Sequence, residues 1–300
     1  MKVFLSLLKR NVKLFFKDKG LFFTSLITPL ILLVLYATFL SNVYSDSIKQ
    51  IFSAFSVELS EKLVNGLVGG QLFSSLLAVS TVTVSFCSNM LMVQDKVSGA
   101  RKDLLMSPVK RHTLALGYYF ASLISTLVIC LVACVACIIY VAVTGWYMSF
   151  VDVLLVVLDV FILVTFGTAL SSVINYFLSS QGQISAVGSI VSSCYGFICG
   201  AYMPLASFGE GLRNAVMFLP GTYGTSMLRN HTMRGVLNEM SAQGYPEIAI
   251  EGLKDAIDCN LYFFENQVST TAMVLVTVIS VVVLVTAYVG INILFRKRKD

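Results

Sequence analysis

The 300-residue chain is poor in charge: Asp, Glu, Lys and Arg make up 12% of it, against roughly 25% in an ordinary soluble domain. Hydrophobic residues reach 57%. A water-soluble core has no room for that surplus, so a soluble enzyme and a disordered chain are both excluded. Histidine is scarcer still. His112 and His231 are the only two, without the His-Glu-x-x-His spacing, and no metal centre is expected from them. No Gly-Lys dipeptide occurs, which removes the phosphate loop whose Lys reaches the terminal phosphates of ATP. No G-x-S-x-G elbow occurs either, so the frame for a nucleophilic serine is missing. The net charge of +5 comes without a basic, aromatic-interleaved patch, which leaves no case for nucleic acid. The cysteines number seven. Cys87, Cys130, Cys134, Cys137, Cys194 and Cys199 lie inside apolar runs and only Cys259 falls in water, so a disulfide framework is not expected. The spacing of Cys134 and Cys137 reads as small buried side chains rather than a redox or metal motif.

What the chain has is long apolar runs. Crossing a bilayer takes about 20 apolar residues of helix, and six runs qualify: residues 20–43, 69–93, 113–143, 151–177, 184–203 and 268–295. Without strict alternation these are helices and not barrel strands. The expected fold is therefore all-α and polytopic, with six transmembrane helices. The first run follows a basic stretch, is too long for a cleaved signal and lacks a small-residue cleavage site, so it reads as an anchor.

Orientation follows from Lys and Arg. With both termini inside, fifteen of the twenty-one basic residues are cytoplasmic: Lys2, Lys9, Arg10, Lys13, Lys17 and Lys19; Lys96, Arg101, Lys102, Lys110 and Arg111; and Arg296, Lys297, Arg298 and Lys299. The inside then carries +11 and the outside −6, which together give the chain's +5. His112 falls inside and His231 outside.

Residues 1–19 place Phe4, Leu7, Leu8 and Phe15 near one helical face and Lys9, Lys13 and Lys17 elsewhere, the pattern of a helix lying in the interface. A bend is expected before the first span. The outer loop 44–68 repeats apolar residues at Ile48, Ile51, Phe52, Phe55, Leu59 and Leu63, so it reads as a helical extension. In the long outer segment 204–267, Pro204 breaks the fifth span and residues 212–220 are apolar but too short to cross. Pro246 suits the first turn of a helix carrying Ile250, Leu253, Ile257, Leu261 and Phe264. A short re-entrant hairpin followed by an amphipathic cap is the expectation.

Three constellations stand out. Gly188, Ser192, Gly196 and Gly200 recur every four residues along the fifth span, a strip that permits close helix approach, within the subunit or between subunits. Asp152 and Asp159 share a face of the fourth span, with Asp159 about 10 Å deeper by helix rise. A carboxylate there must be paired, neutralised or hydrated, so Asp159 is either a structural partner or part of a transport path. Asn89 and Asn175 are read as hydrated near helix ends. The inner loop 94–112 carries Asp95, Lys96, Arg101, Lys102, Asp103, Lys110 and Arg111 around Leu104, Leu105 and Met106, apolar side chains with no evident cover.

Taken in order, several segments resemble the permease subunit of type-2 ABC exporters. They are Lys17-Asp18-Lys19-Gly20 with Pro29, the stretch Gln94-Asp95-Lys96-Val97-Ser98-Gly99-Ala100 leading to Leu104-Leu105-Met106-Ser107-Pro108-Val109-Lys110-Arg111, and Pro204 and Pro220 before Tyr223 and Arg229. The resemblance implies that two six-span subunits pair, as a homo- or heterodimer, and that each docks a cytoplasmic ABC ATPase holding ATP and magnesium, with no cofactor on this chain. It implies a cell-membrane location, and ATPase coupling through Asp95, Lys96, Arg101, Lys102, Leu104, Leu105 and Met106. The chain departs from the family at Gln94-Asp95-Lys96, where many relatives are more acidic, and at Phe208-Gly209-Glu210, which replaces a second outer proline. Two rivals fare worse. A secondary carrier using Asp159 lacks matching Gly/Pro-broken spans in two halves, and an intramembrane enzyme lacks convergent His, Asp or Ser groups. An amphipathic or lipid-like cargo, such as a drug or antimicrobial, is expected, with a polyprenyl-linked polysaccharide as the alternative.

Overall fold

The computed structural model describes residues 2–53, 57–107 and 109–294; Phe55, Pro108 and the basic tail from Arg296 to Lys299 lie outside the described residues. Helix α1 (Lys2–Lys17) buries Leu7, Asn11 and Phe15 at intervals of four and exposes Lys2, Lys9, Lys13 and Lys17, so it is amphipathic. Asp18 then leaves helical geometry and caps α2 (Lys19–Leu35), its carboxylate accepting from the Leu21 amide at 3.1 Å. The expected bend lies here.

The first rod does not end near residue 43. It runs on through a π-helical turn, Tyr36–Leu40, into α3 (Ser41–Ser53), because Tyr44, Ile48 and Phe52 are buried on the face that Tyr36 begins. The Tyr36 and Tyr44 rings stack at 5.9 Å, 4° from parallel. Residues 57–60 are not helical, and residues 61–68 of the expected outer loop belong to α4 (Glu61–Val97), which starts at the Ser60 cap rather than at residue 69. Its 37 residues make a rod of about 55 Å, buried over nearly its whole length. It is the axis of the molecule, packed by α2, α6 (Arg111–Thr144), α7 (Phe150–Phe177), α8 (Gln181–Ile198) and α10 (Pro220–Ala242). Small residues permit this: a Cβ on Gly167 of α7 would lie 2.7 Å from the Thr81 carbonyl oxygen of α4.

Among the described residues, five helices are long and apolar enough to cross a membrane: the α2–α3 rod, α4, α6, α7 and α12 (Thr270–Leu294). The expected fifth span is represented by α8, which is not among them. It has 18 residues, opens on Gln181-Gly182-Gln183 and stops at Ile198, so the expected boundary at 203 is too late.

The segment 204–267 is more helical than expected. After the short α9 (Glu210–Val216) comes α10, 23 residues with Pro220 in its first turn, buried from Gly221 through Met240 on most sides. The hydropathy reading passed over it because it carries Arg229, Asn230, His231, Arg234 and Glu239. Helix α11 (Glu247–Ala256) follows Pro246 as expected and turns Ile250 and Leu253 inward. It ends before Leu261 and Phe264, which belong to a two-stranded hairpin. Asp258 takes a left-handed conformation (φ 55°) and breaks the helix, and β1 (Leu261–Phe263) pairs antiparallel with β2 (Asn266–Val268), Leu261 opposite Val268.

Candidate functional site

At the end of α4, Gly99 (φ 85°) turns the chain into the seven-residue α5 (Ala100–Met106). The seven side chains expected to meet an ATPase divide here. Asp95 is buried: it accepts from Arg10 at 2.8 and 3.3 Å and from the Tyr118 hydroxyl at 2.6 Å. It therefore fastens α1 and α6 to α4, and its carboxylate raises the Arg10 guanidinium above its ordinary value. Lys96 donates its ammonium to the carbonyls of Asn175, Tyr176 and Leu178, capping the C-terminus of α7 where cations are favoured. Lys96 and Arg101 both lie over the Tyr176 ring, at 5.1 and 5.9 Å. Leu104 and Leu105 are half-buried against an inner cluster containing Leu7, Met92, Leu114, Tyr118 and Tyr288. Lys102 and Met106 face outward, Met106 with 84% of its surface exposed.

The strip on α8 lies against the chain itself. A Cβ on Gly188 would come within 2.9 Å of Met90 of α4, and one on Gly196 would enter the Tyr202 ring at 2.3 Å. Tyr202 also donates to the Ser192 carbonyl at 3.4 Å. Gly200 is beyond the helix; its φ of 74° closes the C-terminus, where glycine is favoured. The face of α8 left exposed is a different one, with Ser185, Ser189 and Ser193.

Helix α10 runs antiparallel to both α4 and α7. Gly224 sits under Leu163, His231 Nδ1 meets Asp159 at 2.5 Å and Arg234 Nε meets Asp152 at 2.5 Å, in descending order along α7. Toward α4 the matching order is Arg229 to Ser75, Thr232 to the Gly70 carbonyl and Val236 beside Gly66. Asp159, 1% exposed, is thus paired with His231. Arg229 has no exposed surface. It donates to Ile257 O (2.6 Å), Asp258 (3.3 Å), Gly200 O (2.9 Å) and Ser75 (3.4 Å), so one guanidinium joins four segments. Burial pushes the Asp258 carboxyl up, while Arg229 and the Leu205 amide pull it back. The sequence reading used Arg229 only as a point of resemblance; the signal available was an arginine within a run of small and apolar residues.

Asn89 is not at a hydrated edge. It is buried and donates to Ser171 (3.1 Å) and Ser172 (2.8 Å) of α7, next to the Ser88–Thr126 bond of 2.8 Å toward α6. Asn175 is also buried. Beneath the first turn of α10, a cavity of about 420 Å³ is bounded by Phe166 and Leu170 of α7, Tyr195 and Ile198 of α8, and Ile279 and Val283 of α12. Its lining is almost wholly apolar, and the rim residues Ile198, Ile279 and Val283 are exposed on the surface of the bundle.

No curated protein matches the chain. A family model does: that of the ABC-2 type transporter fits residues 2–232, from the first turn of α1 to the His231 region of α10. Since that is well over half of the chain, and five of its helices have the length and composition of membrane spans, the protein belongs to the ABC-2 type transporter family and is a membrane permease component, not the ATPase.

Proposed function

We propose that this permease serves an ATP-driven exporter of amphipathic or lipid-like compounds, with its α5 end in the cytoplasm and its α3 end outside a cell membrane. The family pairs such chains with an ABC ATPase, and that separate subunit would hold ATP and magnesium. Met106, Val97 and Lys102 are exposed at the α5 end, and apolar knobs next to a cation suit a docking surface. A second permease copy, or a paralogue, would cover Ser185, Ser189 and Ser193, because small hydroxyl residues facing lipid favour helix association.

The observation that carries the cargo class is the cavity under α10: apolar, of ligand size and rimmed by lipid-facing residues. It suits an apolar tail better than the sugar of a polysaccharide. The test is co-purification with a co-expressed ATPase. ATP turnover is expected only from the complex, and Met106→Asp should abolish association while leaving the thermal transition of the chain unchanged. Ser280→Phe, which fills the cavity, should leave association intact and lower transport of an amphipathic dye by about tenfold. Normal transport by Ser280→Phe would remove the cavity from the path, and ATP turnover by the isolated chain would overturn the division of labour.

A further inference from the structure

We propose that the outer segment holds a second ligand site, a pocket for the headgroup of a zwitterionic phospholipid whose acyl tail reaches the apolar cavity under α10. Placing that pocket in the outer leaflet rests on the reading above, in which the α3 end faces outside. The pocket has a volume of about 240 Å³ and is bounded by α9, the end of α11 and the β-hairpin. Its apolar part comes from the buried side chains of Leu205, Met217 and Leu261. Its one cation is Arg213 of α9, and its open carboxylate is Asp255 of α11. The other carboxylate, Asp258, is already engaged by Arg229 and the Leu205 amide.

Arg213 and Asp255 line one pocket without pairing. Opposite charges that share a space attract one another, yet Arg213 makes no ion pair with any described residue. Asp255 is held in place from its own side. Its Oδ1 accepts from the Asn260 amide at 2.8 Å and from the Tyr262 hydroxyl at 3.0 Å, and Asn260 is itself tied to Glu251 at 3.0 Å. Both bonds to Asp255 land on Oδ1, so Oδ2 is left for a ligand. A cation and a carboxylate kept apart on one wall complement a molecule that carries both charges itself. Arginine matches a phosphate through its paired N–H donors. A carboxylate next to the rings of Tyr262 and Phe264 suits an ammonium. A purely anionic headgroup would satisfy Arg213 and be repelled by Asp255.

The surroundings favour a lipid over a free zwitterion. Phe218, Phe263 and Phe264 pack edge to face, with centroids 5.3 Å apart for the first two and 5.0 Å for the last two. Phe218 is 65% exposed and Phe264, which also lines the pocket, 57%. Such rings are costly in water and are at home against acyl chains. From Met217 in the pocket, the chain leads through Phe218 to Leu219 and Pro220, which line the apolar cavity. Helix α12 supplies the depth. It starts at Thr270, just after the hairpin, and meets the cavity at Ile279 and Val283, about 14–20 Å further along by helix rise. One leaflet of hydrocarbon is about 15 Å thick. Pocket and cavity are thus spaced like the head and tail of one lipid.

Native mass spectrometry of the full-length chain in detergent tests this without ATPase. The chain is offered equal amounts of phosphatidylethanolamine and phosphatidylglycerol with the same acyl chains, and it should retain the zwitterionic lipid about tenfold better. Arg213→Gln, a change at an exposed side chain, should lower that retention about tenfold and leave the melting temperature in lipid-free detergent unchanged. Asp255→Asn should remove the preference by bringing phosphatidylglycerol up to the level of phosphatidylethanolamine. Ser280→Phe, which fills the tail cavity, should weaken retention of both lipids, and soluble glycerophosphoethanolamine at equal concentration should not compete. Native retention by Arg213→Gln, or a preference that survives Asp255→Asn, overturns the headgroup site. Competition by the soluble headgroup as strong as that by the lipid overturns the lipid in favour of a free zwitterion. Failure of the export reading would instead register in the Met106→Asp association assay, with lipid retention by the isolated chain intact.

Discussion

Asp95 and Arg229 illustrate how much a single side chain can hold in a bundle with few charges. Removing Arg10 leaves the Asp95 carboxylate buried with only the Tyr118 hydroxyl, whereas removing Asp95 leaves an arginine whose side chain is 32% exposed and free to turn to water. Arg10→Ala should therefore destabilise more than Asp95→Ala, by about 2 kcal/mol against about 1, as read from thermal unfolding in detergent. Arg229→Met should cost about 3 kcal/mol or more by stranding Asp258, and adding Asp258→Asn should restore part of the loss. If Arg229→Met were as stable as the native chain, the guanidinium would not be the tie described above. Little of this was legible in sequence. A positive-inside count says which side a lysine is on, but not that Lys96 turns back onto three carbonyls of α7. The apolar run Leu104, Leu105 and Met106 was visible as a cluster, yet of the three only Met106 faces outward. Leu104 and Leu105 are half-buried against the inner cluster, so alanine at both should lower the melting temperature as well as coupling.

Among elements, α8 and α10 departed most from expectation, for one physical reason. Hydropathy reports contact with lipid, and the parts of a membrane protein that touch only protein are free to be polar. Helix α10 is therefore nearly invisible to it, although α10 packs on α4, α7 and α12. The hydroxyls of α4 are similarly hidden in bonds such as Ser85–Thr168 at 3.3 Å. On α8 the four-residue glycine spacing was real, but a spacing does not say which neighbour fills the groove; Tyr202 does. Two substitutions separate the faces. Gly196→Leu should displace the Tyr202 ring and lower the melting temperature without changing subunit stoichiometry. Ser189→Trp should leave stability unchanged and shift the purified chain toward monomer, as followed by crosslinking. A dimer lost in the first and kept in the second would exchange the two roles.

At the scale of the whole molecule, α4 joins both ends. Its last turns carry the Arg10–Asp95–Tyr118 network and lead into α5, and its first half carries Gly66, Gly70 and Ser75 against α10. A shift imposed at α5 thus reaches the outer segment through one unbroken helix. The long spans were legible because lipid enforces them; the length of this rod was not, because nothing in its composition marks where bilayer ends and protein cover begins. The π-helical turn at Tyr36–Leu40 belongs to the same arrangement. A π-turn takes in about one residue more than a regular turn, and one residue of α-helix corresponds to about 100° of rotation. Without it, Tyr44, Ile48 and Phe52 would swing away from the side that Leu21, Leu32 and Tyr36 bury. The turn is thus a spare residue in the reading frame of a helix. Removing one residue among Ala37, Thr38 and Phe39 should regularise the rod and still leave Tyr44 beside Tyr36. The same deletion in the middle of α6 would turn every later side chain onto the wrong neighbour. Chain length should accordingly be free to drift by one at this place and at few others in the membrane.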